Sequence, residues 1–357
     1  MPLFLGCKLD RGIISGMQIQ HNVSLAAYST MRLGGKAAHL TEVHSRQDVI
    51  EAVDWAVENH MPPIMIGSGS NIFWRDEGFD GLVLVNKIMS YEDFAEDEVN
   101  HYLTIGAGEN WDKIVERSVS EKLSGIEALS LVPGTAGATP IQNVGAYGQE
   151  ISQTLVSVEA YDLHTRQMLN MPNEKCELGY RTSRFKTTDR DRFFITAITL
   201  HLMRINPKPP FYTALQYYLD ENNIHEYTPS VIRNAVVNIR QAKLPDPTVV
   251  ANNGSFFANP IVGDNDLMQL LSDFPDMPHW LAEKGAKIPA AWLLEQTGFK
   301  DLHDKETGMA TWPKQPLVLV NEHAKNTADL LKFKQKIVEA VHAKFNITLV
   351  QEPELLP

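Results

Sequence analysis

Two glycine-rich stretches carry the first chemical signal. Gly67, Ser68, Gly69, Ser70 and Asn71 follow the apolar run PIMI and lead into IFW. Further on, PGTAGATPIQNVGAYG supplies Gly134, Gly137, Gly145 and Gly148 with Thr135, Thr139, Gln142 and Asn143. Glycine removes the Cβ, so successive backbone N–H groups, helped by hydroxyls and amides, can close on an anion. Neither stretch is a Walker loop or a G-x-G-x-x-G opening onto a helix. Across residues 125–150 the only charged side chains are Glu127 and Glu150. So long an uncharged connection is uncommon in a compact domain unless it is functional or disordered. Leu129, Leu131, Val132, Ile141 and Val144 are apolar anchors that speak for order. Two such segments would suit a long, flat, phosphate-bearing ligand such as a dinucleotide. A tight turn at Gly67–Asn71 and irregular turns packed on one another fit the same spacing.

Other reactive residue types give weaker signals. Ser255, in NGSFF, has no histidine nearby in sequence, so a hydrolase triad lacks support and the serine by itself reads as a turn residue. The 12 histidines show no metal spacing such as H-E-x-x-H, so no metal ligand is expected. Arg233 and Arg240 lie seven apart on a helical pattern, two turns apart on one face, where they could offset a ligand's negative charge. With 32 Lys+Arg against 44 Asp+Glu the net charge is −12, which argues against nucleic-acid or membrane-surface partners. Two cysteines, Cys7 and Cys176, exclude a disulfide framework and suit a reducing cytoplasm. No apolar run reaches membrane-spanning length. Small residues before Cys7 give a faint lipoprotein look, without the basic leader or apolar stretch that a signal needs. Met17 is an alternative start, which makes residues 1–16 an extension without structure.

The elements that must position these residues follow from periodicity. SRQDVIEAVDWAVENH reads as a helix capped by Ser45 and stopped by Pro62 and Pro63. PIMI, IFW, GLVLVNKI and HYLTIGAGEN read as strands, and NWDKIVERSVSEKLSG as a helix from Asn110 to Gly125. Residues 155–205 are mostly β, with LVSVEAYDL and RFFITAITLHLMRI as strands. VIRNAVVNIRQAK and AAWLLEQTGF are helical, PLVLVN is a buried strand, and TADLLKFKQKIVEAVHAKF is a long amphipathic helix with Leu330, Lys334, Ile337, Val341 and Phe345 on or beside its apolar face. ITLVQEPELLP is expected to close the chain as a strand. At 357 residues, with no clean βαβ rhythm, the chain reads as mixed α+β in several domains.

The ordered set IGSGSN, GIEALSLVPGTAGATPIQNVGAYG, LGYRTSRFK, KLPDP, NGSFFANP and QEPEL resembles the UDP-N-acetylenolpyruvoylglucosamine reductases, in the subtype with a tyrosine-containing substrate loop. The resemblance runs from about Asn22 onward. It implies a three-domain α+β flavoprotein with a vanillyl-alcohol-oxidase-like (PCMH-type) FAD-binding fold plus an α+β substrate domain. The expected division is an extension at 1–19, FAD-binding subdomains at 20–86 and 87–244, the latter rejoined by 345–357, and a substrate domain at 245–344. It further implies NADPH-dependent reduction of UDP-N-acetylglucosamine enolpyruvate through non-covalent FAD, in a cytoplasmic monomer. Gly67 to Asn71 with Pro133, Gly134, Gly137, Ala138, Gln142, Asn143, Gly145, Ala146, Tyr147 and Gly148 would hold the flavin. Ser255 would donate the proton, and Arg181 and Glu354 would stabilise the developing enol, with Glu352 the rival carboxylate. Tyr180, Tyr212, Lys243, Asn259, Lys300 and Gln315 would contact the substrate. Two departures stand out: Ala258 occupies a position where the family carries lysine, and the sequence stops three residues after Glu354. An alcohol-oxidising flavoenzyme of the same fold is a rival, weakened because such relatives often tether flavin through His or Cys and 125–150 has neither. A non-catalytic nucleotide-sugar binder is the other, weakened by the joint presence of Ser255, Arg181 and Glu354.

Overall fold

The structure, a computed structural model, describes residues 13–14, 17–282 and 285–357. The lipoprotein-like start and most of the expected extension lie outside them. The extension without structure expected at 1–16 does not hold at Ile13–Ile14, which pair as a strand with Met17–Gln18, and Met17 is 8 % exposed and packs with Val43, Val49 and Leu82.

The first sheet has the order Gln20–Ser24, Lys36–Val43, Phe79–Asn86, Pro63–Ile66. Its first pair is antiparallel and the other two are parallel. Parallel neighbours need a crossover. The helix Arg46–Glu58 supplies it, capped by Ser45, whose side chain accepts from Asp48 N–H. Strand alternation decides the faces: Leu82 and Leu84 meet the helix, whereas Val83 and Val85 meet Leu25, Ile66 and Trp74.

The second sheet is antiparallel throughout, in the order Gln167–Pro172, Leu155–Asp162, Phe193–Met203, Asn100–Gly106, Tyr91–Ala95. The helix Trp111–Ser120, capped by Asn110, covers it through Ile114 and Val115. It ends with Glu121 as its C-cap, before the expected stop at Gly125, because Lys122 turns to φ 62° and Leu123 N–H returns to Ser118 C=O. Two helices, Thr213–Glu221 and Pro229–Lys243, pack through Leu215, Leu219, Ile232 and Val236.

In the third unit Asn252–Ser255, Gln315–Asn321, Met309–Trp312 and His303–Asp304 form an antiparallel sheet. The helix Thr327–Phe345 lies over it with Leu330, Phe333, Ile337, Val341 and Phe345 buried, while Lys334 borders that face and donates to Gln351. The core here also takes Met31, Leu33 and Phe73 from the first unit, which ties the two together.

The last strand departs from expectation twice. It is only Glu354–Leu356, and it pairs in parallel with Ile72–Trp74 of the first unit, not with the second. Proline 353 cannot donate to a ladder, which confines regular pairing to the residues after it.

Candidate active site

The glycine-rich loops meet each other. Ser70 Oγ donates to Pro133 C=O at 3.0 Å, and the Asn71 amide donates to Gln142 at 2.6 Å. A Cβ on Gly67 would sit 2.4 Å from Thr135 Oγ1, and one on Gly69, at φ 74°, would sit 2.1 Å from Tyr28 C=O. Glycine is thus required for loop-to-loop contact. Residues 125–150 contain no long element, only short 3-10 turns and the hairpin Gly145–Ala146/Gln149–Glu150. Buried Glu127 organises them by accepting from Gly125 N–H at 2.6 Å and from the Gln149 amide at 2.9 Å. Burial pushes its pKa up against those bonds.

Two adjoining clefts result. The first encloses about 1340 Å³, open to solvent, and is lined by Gly67 to Asn71, Pro133, Gly134, Gly137, Ala138 and Gln142, with Trp111, Phe185 and Phe193 among its apolar walls. Among the described residues, the backbone N–H groups of Gly67 to Asn71 and of Gly134 and Thr135 donate to no protein acceptor. Such an array of free donors is an anion cradle. The lining holds neither His nor Cys. Cys176 lies elsewhere in the core, its thiol pushed by burial up to about 11. Free donors over an apolar trough are the donor set that a phosphate-bearing aromatic cofactor such as FAD requires, and the residues fit that group.

The second cleft, about 770 Å³, shares Ser70, Asn71, Pro133 and Gln142 with the first. It adds Gly145, Ala146, Tyr180, Arg181, Arg240, Ser255, Asn259 and Glu352. Arg181 stands at φ 55° and donates from Nη2 to Gly145 C=O at 2.8 Å. Its Nε lies 3.1 Å from Glu352 Oε1, with the two side chains 24 % and 13 % exposed. Among the described residues Arg240 is held by one bond to Leu131 C=O, and its buried Nε has no partner. Ser255, exposed at the end of its strand, spends its hydroxyl on no protein acceptor among the described residues.

The structure does not gather every expected residue. Glu354 lines the first cleft, not the second: the strand begins only at Glu354, and the bend at Pro353 lets Glu352 turn away from the face that two residues of one continuous strand would share. It pairs with Arg190 at 2.5 Å. Burial raises the pKa of both glutamates, opposed at Glu352 by Arg181 and Lys186 and at Glu354 chiefly by Arg190. Asn143, Tyr147 and Gly148 line neither cleft. Asn143 is 1 % exposed and spends its amide on Glu150 and Gly179, while Tyr147 and Gly148 turn against Tyr212. Tyr212, Lys243, Lys300 and Gln315 also lie outside both clefts. Tyr212 is 46 % exposed, Lys243 offers only its C=O to Trp312, and Lys300 pairs with Glu295. Arg233 is committed to Asp112 at 2.6 and 3.1 Å. Of the helical pair only Arg240 reaches a cleft. Sequence reasoning missed Arg190, which lies outside the quoted motifs, and gave no role to Glu127 and Lys186, which lie inside them.

Among the described residues no helix is long and apolar enough to cross a membrane. None of their His, Cys, Asp and Glu side chains form a group of three that could hold a metal ion.

Similarity to known proteins agrees with this architecture. Residues 37–165 match the family described as FAD binding domain, and residues 246–356 match the UDP-N-acetylenolpyruvoylglucosamine reductase C-terminal domain. The UDP-N-acetylenolpyruvoylglucosamine reductase of Cupriavidus pinatubonensis is 36% identical over 333 residues, covering 93% of this chain and 97% of that one. The enzyme of the same name from Escherichia coli is 34% identical over 337 residues, covering 94% and 95%. In fold, the crystal structure of UDP-N-acetylenolpyruvylglucosamine reductase from Thermus caldophilus superposes with a TM-score of 0.65 at 21% identity, over 96% of this chain and 100% of that one. With identity above a third across nearly the whole length, and both halves matched in order, the chain belongs to the UDP-N-acetylenolpyruvoylglucosamine reductase family.

Proposed function

We propose that this protein reduces the enolpyruvyl double bond of UDP-N-acetylglucosamine enolpyruvate to give UDP-N-acetylmuramate, a peptidoglycan precursor, using NADPH and non-covalently held FAD. The observation that carries this reading is the shared wall of the two clefts. A trough of free N–H donors adjoins a cavity holding two guanidinium groups and an uncommitted serine hydroxyl. FAD, when bound, supplies the carrier that passes hydride from NADPH to the substrate.

The chain's own residues do the rest. Gly67 to Asn71 and Pro133 to Gln142 cradle the cofactor and orient it toward the second cleft. Arg181 holds the substrate carboxylate bidentately and meets the charge that develops there, a role suited to a planar and permanent cation. Glu352 fixes the direction of Arg181, and Arg240 adds positive charge to the same cleft. Ser255 Oγ gives its proton to the carbon left carbanion-like after hydride addition and is reprotonated from solvent. Glu354 supports the enol from the flavin side. Tyr180 and Asn259 contact the diphosphate. Tyr212, Lys243, Lys300 and Gln315 reach substrate only with closure of the third unit. The units are residues 17–86, 87–244 and 245–344, with 345–357 bridging the third and first. We assign the protein to the cytoplasm, as a monomer.

The test is the purified protein itself. It is expected to be yellow, to release FAD on denaturation, to bleach anaerobically with NADPH, and to recolour on addition of the enolpyruvyl sugar nucleotide as UDP-N-acetylmuramate forms. A protein that binds no FAD, or that bleaches but is not reoxidised by that substrate, overturns the reading.

A further inference from the structure

The segment 181–192 carries four arginines, of which Arg190 alone lines the first cleft. Arg181 donates to Gly145 C=O at 2.8 Å, Arg184 pairs with Asp189 at 2.6 Å, and Arg192 bridges Asp162 and Asp189 at 2.8 and 2.9 Å. Arg190 differs. Its side chain is 49 % exposed, and apart from a 3.6 Å approach to its neighbour Asp191 its one ion pair among the described residues is with Glu354. Arg190 is also the one cation among the described residues lining the first cleft, whose acids are Asp191 and Glu354. Glu354 donates its N–H to Asn71 C=O at 2.9 Å, so this pair sits beside the end of the Gly67–Asn71 loop and its free N–H groups.

A dinucleotide diphosphate entering that loop brings two negative charges into a cleft that already holds two carboxylates. Backbone N–H groups carry only partial charge, so the nearest full positive charge is Arg190. Its fork binds a phosphate as well as a carboxylate. We infer that Arg190 is an exchangeable counter-ion, paired with Glu354 in the flavin-free protein and transferred to the flavin's diphosphate on binding, which releases the Glu354 carboxylate toward the reaction site. This rests on the flavin reading above. It assigns a ligand to a side chain that no motif marks, and makes cofactor loading the event that frees Glu354. Glu354 does not lose all compensation, because the Lys186 ammonium, which donates to Glu352 C=O at 3.1 Å, still acts on it.

The experiment measures affinities of the flavin-free full chain for FAD and for riboflavin, which lacks the phosphates, by flavin fluorescence. Arg190→Gln is expected to weaken FAD by about ten- to a hundredfold, the range of one charge-assisted hydrogen bond. Riboflavin should change by less than about twofold, and Arg190→Lys should recover part of the loss. Glu354→Gln, which frees Arg190 from its competitor, should tighten FAD. Equal losses for FAD and riboflavin, unchanged FAD affinity in Arg190→Gln, or weaker FAD binding in Glu354→Gln each overturn the inference while leaving the flavoenzyme reading intact. If the unsubstituted chain binds no FAD, both fall.

Discussion

The Glu-Pro-Glu carboxylates give the sharpest test. By motif alone Glu352 is a solvated neighbour of Glu354, and its loss should be nearly silent. The geometry says otherwise: Glu352 is 13 % exposed and its Oε1 lies 3.1 Å from Arg181 Nε. Its N–H donates to Phe256 C=O at 2.9 Å and its C=O accepts from Lys186 Nζ at 3.1 Å. Its backbone therefore stays put when the side chain changes. Breaking a fully buried ion pair costs about 3–5 kcal/mol. Arg181 is a quarter exposed and keeps Gly145 C=O, so about 1.4–2.7 kcal/mol is the reasonable share here. At 1.36 kcal/mol per decade this is about ten- to a hundredfold. Because Arg181 is left misdirected and the reacting groups remain, Glu352→Gln should act on kcat/KM for the enolpyruvyl substrate mostly by raising KM. Glu354→Gln should instead lower the rate of flavin reoxidation by about 10²-fold at saturating substrate. Stopped-flow absorbance separates the half-reactions, and reduction by NADPH should change little in either variant. If Glu352→Gln leaves reoxidation within about twofold at every substrate concentration, the positioning role of Glu352 is refuted.

Ser255→Ala should leave flavin reduction by NADPH near normal and slow reoxidation by at least ~10²-fold, the lower bound for a lost general acid; equal slowing of both half-reactions would make Ser255 structural. Gly69→Ala should abolish flavin retention, since its Cβ would lie 2.1 Å from Tyr28 C=O at φ 74°. Gly67→Val should do the same by displacing Thr135, whereas Gly263→Ala, with no atom within 4 Å of its Cβ, is the matched control that keeps its flavin. Asp162→Asn should destabilise the protein by about 1–2 kcal/mol at pH 7, because Asp162 is 2 % exposed and pairs bidentately with Arg192, which is itself 28 % exposed and keeps Asp189. Arg192 holds the Asp162 carboxyl far below its ordinary value, so its contribution is full above about pH 3.9 and fades as pH falls below it. Urea titrations should therefore show the gap between the two proteins narrowing at pH 3, and a constant gap would contradict the assignment.

Local chemistry was enough to fix much of this protein. Ser45 and Asn110 cap their helices because a short side-chain oxygen at that position reaches the first free N–H groups. The glycines of 67–71 and 133–148 marked loops that must approach something closely, and the six ordered motifs gave the family. Several elements went unread, among them the strands Gln20–Ser24 and Tyr91–Ala95, whose residues are mostly exposed, the strand Lys36–Val43, and the helices Thr213–Glu221 and Asp264–Asp273. What the glycines approach was decided only in three dimensions. Gly67 meets Thr135 and Gly69 meets Tyr28, so the loops first build each other and only then a cradle of free N–H groups. The division of labour between Glu352 and Glu354 was likewise not in the motif. In a continuous strand the two would share a face; the bend at Pro353 separates them, and the parallel register of Glu354 with Ile72 then sets Glu354 beside Arg190 while Glu352 meets Arg181. Arg233 and Arg240 share a helix face in sequence, yet Asp112, a residue 121 positions from Arg233, claims one and leaves the other to the cleft. Sequence spacing reports which side chains share a local surface; partners that long-range packing brings to that surface decide which of them remain free for a ligand.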